Sequence, residues 1–261
     1  MKKKTLTMLL STLLIVSSAA LGSIAYMTDT AEITNRFTVG NVSLKVDETK
    51  VDSSGAPVDG DGHVIDPNDP SAKPARTESG NAYHLMPGET YVKDPTVTIG
   101  KNSESSYVRL LVTVSKAREL DALCKAMTAA DAAKYPLGLP QDHVSGYDAA
   151  VWRYAGQTAD AQANTVTYEF RYFDVNGSTD IVKPDGVSDL ALDPLFDTIT
   201  VPGALTGSQL ATLNDFEIRV VGQAIQSAGF ADANEAWAAF PQMTEAADAG
   251  DGSGQDEAPQ A

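Results

Sequence analysis

Apolar residues recur at every second position over much of this chain, the spacing of strands that bury one face. The first such stretch, Ile24 to Glu48, carries Ile33, Phe37 and Val39 in one phase, interrupted by Asn35. At Gly40-Asn41 the phase flips, and Val42, Leu44 and Val46 form the apolar face. A flip at a glycine reads as a β-bulge within one continuous strand. Tyr91 to Ile99 is extended. Val108, Leu110, Val112 and Val114 alternate with Tyr107, Arg109, Leu111 and Thr113, and two largely apolar faces predict a central strand. Val151 to Tyr154 reads as a short strand. Thr165 to Tyr172 gives the cleanest alternation, with Val166, Tyr168, Phe170 and Tyr172 on one face. Phe196 to Val201, with Ile199 and Val201 inward, and Phe216 to about Gln226 complete the set.

Elsewhere the period changes. Leu120, Leu123, Met127 and Ala130 fall at helical spacing and predict a peripheral helix over Ala117 to Ala133, ended by Pro136, Gly138 and Pro140. Cys124 is expected on that helix as a small buried residue, with a reactive thiol or an intermolecular bridge as the other reading. Thr206-Gly207-Ser208-Gln209 has the spacing of a capping box, with a short helix through Leu213. Asp232 caps a last helix bearing Ala233, Ala236, Trp237 and Phe240 on one face. Asp47 to Gly80, rich in Asp, Gly and Pro, is expected as a long surface loop with room for a short hairpin. From Thr244 the chain is acidic and holds no packing residue except alanine, so a disordered tail is expected over 244–261. The sum is about eight strands at irregular spacing without βαβ alternation, which predicts an all-β antiparallel sandwich with two or three peripheral helices.

Lys2, Lys3 and Lys4 precede an apolar run from Leu6 to Val16 and small residues from Ser17 to Ser23, the order of a secretory signal. That run is too short for a permanent span, and no later run approaches about 20 apolar residues. Removing residues 1–26 takes away three lysines and no acid, moving the formal charge from -16 to -19. Such a surface repels nucleic acid and anionic lipid. A single cysteine excludes an internal disulfide framework, so stability rests on a packed core.

Side-chain chemistry is sparse. A zinc peptidase of the common helical type needs two histidines one turn apart with a glutamate. This chain has His63, His84 and His143, well separated and without that motif. No nucleophile elbow or phosphate loop is present. Asp59 and Asp61 in one Asp/Gly turn, and Asp174, Asn176 and Asp180 in another, space oxygen ligands as calcium sites do. Neither completes the twelve-position loop, and solvated turns are the simpler reading. Tyr168, Phe170 and Tyr172 would form a sugar-binding strip if exposed; core packing is the expectation.

Two blocks carry a family resemblance. Ala25-Tyr26-Met27-Thr28-Asp29 with Asn35-Arg36-Phe37-Thr38-Val39-Gly40-Asn41-Val42 is the first. Leu85-Met86-Pro87-Gly88-Glu89, Val92-Lys93-Asp94-Pro95 and Ser106-Tyr107-Val108-Arg109 form the second. Together they resemble the TasA/camelysin family of exported bacterial proteins processed by a SipW-type signal peptidase. The resemblance implies cleavage between Tyr26 and Met27, with Ala25 as a nearby alternative, and a jelly-roll domain over 27–243. It further implies a secreted, non-enzymatic subunit of a bacterial extracellular (biofilm) matrix or cell surface, with no membrane attachment after cleavage. Relatives build fibres by N-terminal strand donation. Here the donor would be Met27 to about Val39, with Ile33, Phe37 and Val39 filling acceptor pockets of the next copy. Partners would be the chain itself in a head-to-tail polymer, the peptidase, and other matrix proteins or exopolysaccharide. No cofactor is implied, with calcium as the one ion left open. A camelysin-type metallopeptidase and a monomeric polysaccharide-binding module are the rival functions. Pairing of Met27 to Val46 within its own subunit is the rival structure.

Overall fold

The computed structural model describes residues 28–32, 35–38, 42–66, 69, 71–126 and 144–248. In chain order the strands are β1 (Thr28–Glu32), β2 (Asn35–Thr38), β3 (Leu44–Thr49), β4 (Arg76–Thr77), β5 (Thr90–Val92), β6 (Thr96–Ile99) and β7 (Ser106–Val114). They continue with β8 (Val144–Ser145), β9 (Trp152–Asp160), β10 (Thr165–Tyr172), β11 (Ile181–Val182), β12 (Leu190–Ala191), β13 (Thr198–Thr200) and β14 (Ile218–Gln226). The helices are α1 (Ala117–Ala126), α2 (Gly207–Leu210) and α3 (Ala233–Asp248). Among the described residues the fold is all-β with three short α-helices, and every strand pairing is antiparallel.

The largest sheet runs β2-β1-β14-β7-β10-β9, with β11 on the end of β7; a second runs β12-β6-β3-β4 and a third β5-β13-β8. The centre is β7, as its two apolar faces predict. Val108, Leu110, Val112 and Val114 are buried on its inner side, in one core with Leu44, Val46, Val97 and Ile99 from the second sheet and Val42 just before it. Opposite Leu110 stand Phe170 of β10 and Gly222 of β14, a large residue on one side and none on the other. The outer side of β7 and β14 is covered by α3. There Tyr107 and Ile225 pack against Ala233, Ala236, Trp237 and Phe240. The Arg109 guanidinium lies 4.3 Å from the Trp237 ring centre, a cation–π contact shielded from water. Asp232 caps α3 by accepting the Glu235 N–H at 3.0 Å, while Glu235 reaches back to the Ala231 N–H at 2.6 Å.

The local predictions meet the structure unevenly. The Thr206 capping box forms with both of its hydrogen bonds. Tyr168 and Phe170 lie in the core, and Tyr172 packs against it, so these aromatics are packing residues. The expected single strand over Ile24 to Glu48 is instead three. The β1–β2 hairpin belongs to the large sheet and β3 to the second, with Gly40-Asn41 between them and outside the described residues. The phase flip thus accompanies a change of sheet. Of the expected helix over 117–133, α1 occupies the first part and residues 127–143 lie outside the described residues. The strand at Val151 to Tyr154 runs on to Asp160, and that at Phe196 to Val201 shortens to β13. The tail expected to be disordered from Thr244 is instead helical as far as Asp248, where Glu245, Ala246 and Ala247 are good helix formers. Residues 249–261 lie outside the described residues.

Candidate assembly edge and the polar cluster beneath it

β14 is held on one side by β7 over its whole length and on the other by β1. The β1 register places Thr28 opposite Ile225, Thr30 opposite Gln223 and Glu32 opposite Val221. Five residues of the amino-terminal ribbon therefore supply the partner backbone for one flank of an interior strand. Without them, β14 would show a row of unpaired N–H and C=O groups. The strand expected as donor sits in its own subunit here, and it is folded on itself: Phe37 lies in β2, opposite Thr30 of β1. Ile33 and Val39 lie outside the described residues, as do Tyr26 and Met27. The inner positions of β14 are unusually small, with Gly222 and Ala224 between Val220 and Gln226. A Cβ on Gly222 would overlap Val46 of β3 and crowd Leu44, so the two sheets are in close contact under this edge.

Next to that contact, β3 turns polar without leaving the interior. Asp47, Glu48 and Thr49 are all buried, which the sequence reading placed at the start of a surface loop. Each has partners. Arg76 of β4 donates from Nε to Asp47 Oδ1 at 2.7 Å and from Nη1 to Asp94 Oδ2 at 2.6 Å. Thr49 donates its N–H and hydroxyl to the Asp94 carboxylate at 2.6 and 2.8 Å. Lys45 lies 2.8 Å from Asp47, and that hydrogen bond raises the Lys45 pKa. Deeper still, Lys93 Nζ donates to Glu48 Oε2 at 2.6 Å. Asn81 Nδ2 donates to Glu48 Oε1 at 2.9 Å and to the Thr49 carbonyl at 2.8 Å. Tyr83 stands beside them, its hydroxyl donated to the Val92 carbonyl at 2.8 Å. Burial, and then the Glu48 charge, push that hydroxyl well above the ordinary tyrosine range. Asn81, Tyr83 and Lys93 also line a cleft of about 1030 Å³ that continues between Leu120, Leu213 and Phe216. A signal for the buried lysine was present in the sequence. Tyr91, Lys93, Pro95, Val97 and Ile99 share one strand phase, and so do Leu44, Val46 and Glu48.

Asp59, Asp61 and His63 bring one ligand atom each to within 4.8 Å of one another. The turn already uses Asp59: its Oδ1 accepts the N–H of Asp61 and of His63, and the His63 N–H above all lowers its pKa. In the other candidate turn, Asp174 Oδ1 accepts the N–H groups of Asn176 and Gly177. Asp180 faces Tyr107, whose pKa burial raises first and Asp180 second. The backbone carbonyl of His84 accepts the Tyr91 hydroxyl at 2.7 Å, and His143 lies outside the described residues. Cys124 falls within α1.

Compared with known protein families, curated proteins and solved structures, the chain matches none. Among the described residues, no helix is long and apolar enough to cross a membrane.

Proposed function

We propose that the protein is a secreted structural subunit of a bacterial extracellular matrix that polymerises by donating its amino-terminal strand to a neighbouring copy. The body would be a jelly-roll-type sandwich. The observation that carries the reading is the pairing of β1 with β14: a terminal ribbon completes an interior strand. Once residues 1–26 are removed, the ribbon is joined to the body only between Thr38 and Leu44 and can be exchanged for the same segment of another copy. The backbone hydrogen bonds lost within one subunit are regained between subunits. Contact of this kind is head-to-tail and does not close on itself, so it generates filaments. Ile33, Phe37 and Val39 of the donated ribbon would fill acceptor pockets of the next copy. The self-paired hairpin is the resting form that keeps the acceptor covered before assembly.

Electron microscopy of protein beginning at Met27, beside protein lacking residues 27–39, tests the reading. Fibres from the first and none from the second are expected. Equal fibre formation by both removes strand donation.

A further inference from the structure

We infer that Lys93 and Asn81 become joined by an intramolecular amide bond, formed within the folded chain with Glu48 moving the protons. This stands apart from strand donation and does not depend on it. The geometry is that of a nucleophile, an electrophile and an acid–base group collected in one place, with Glu48 and Lys93 buried and Asn81 half-buried at the cleft wall. Glu48 is 1% exposed and Lys93 6% exposed. One carboxylate holds the amine on Oε2 and the carboxamide on Oε1, at 2.6 and 2.9 Å. The Asn81 carboxamide oxygen accepts the Val51 N–H at 3.0 Å. That hydrogen bond draws electron density from Cγ and is placed to stabilise the oxyanion of a tetrahedral intermediate. The rings of Tyr83 and Tyr91, edge to face at 5.6 Å, stand beside the site on the wall of the cleft.

The step balances without an added reagent. Lys93 Nζ gives a proton to Glu48, and the neutral amine attacks Asn81 Cγ. Glu48 passes its proton to the departing Asn81 nitrogen and takes the second proton from Lys93. One C–N bond forms and one breaks, and ammonia leaves by the cleft that Asn81 and Lys93 line. Glu48 remains as a carboxylic acid. Two charges buried at considerable desolvation cost are thereby replaced by neutral groups, which gives the reaction a direction. Holding the groups in place converts a slow amide exchange into an intramolecular one. In a chain with one cysteine, this is a crosslink that needs no disulfide.

Intact-mass measurement of the purified full chain, followed by peptide mapping, tests the inference. The expected mass is below that of the sequence by one ammonia, with a branched peptide linking the Asn81 and Lys93 segments. Lys93→Arg, Asn81→Ala and Glu48→Gln should each restore the full sequence mass. A wild-type chain at full sequence mass overturns the inference, whatever the variants do. So does a loss of ammonia mapped to a cyclic imide at Asn81 with Lys93 free, or a loss of water mapped between Lys93 and Glu48.

Discussion

Gly222 of β14 lies directly against Val46 of β3, so that any side chain at 222 would occupy the space of the valine methyl. The contact brings the sheet that carries the amino-terminal ribbon close to the sheet in which the rest of that segment is rooted. Gly222→Val should force the sheets apart at this point. We expect a loss of about 1–3 kcal/mol, the usual range for overpacking a core, seen as a lower urea midpoint. An unchanged midpoint would show that the sheets do not approach here.

The helix on the opposite side of the large sheet makes a separable prediction. Trp237 is 4% exposed, yet its indole N–H finds no acceptor among the described residues. Its contribution is therefore packing and the Arg109 contact. Trp237→Ala should cost about 3–5 kcal/mol, as for other buried tryptophans. Trp237→Phe should cost far less, since no hydrogen bond is lost. Chemical unfolding of the two variants checks the order; equal losses would contradict it.

The Asp/Gly turns respond to acid in a stated direction. Asp52 and Asp69 are lowered chiefly by the hydroxyls of Ser54 and Ser71, and Asp59 and Asp185 by the N–H groups of His63 and Val187. A carboxylate with a lowered folded pKa stabilises its turn fully above the unfolded value, about 3.9 for Asp. That contribution is lost as pH falls through the folded value. The amides of Ser54, His63, Ser71 and Val187, which donate to these carboxylates, should shift in NMR spectra with midpoints below the ordinary one. Midpoints at or above it would contradict the geometry.

The sequence showed where strands lie and which faces they bury, because period-two alternation records burial directly. β7 and β10 emerged almost to the residue for that reason. It did not show that the ribbon before Gly40 and the strand after it belong to different sheets. A phase flip looks the same for a bulge and for a crossing. Nor did it reveal the buried polar cluster, because Asp47, Glu48 and Thr49 resemble the start of a loop unless strand phase is followed through them. Arg76, Asn81 and Lys93, which satisfy those groups, are 27 to 45 residues away in the chain. Pairings of that range follow from topology alone. The partner of the first strand is of the same kind: β14 lies at the other end of the domain.

The most direct test of strand donation is a disulfide trap at a cross-strand pair. Thr30 and Gln223 face each other in the β1–β14 register, so T30C and Q223C, in a Cys124→Ser background, report which chain supplies the partner. Oxidised before assembly, the variant should be locked as monomers that form no fibres until reduced. Oxidised after assembly, it should give a ladder of covalent multimers on a non-reducing gel. Bonds confined to single chains under both conditions would contradict the account.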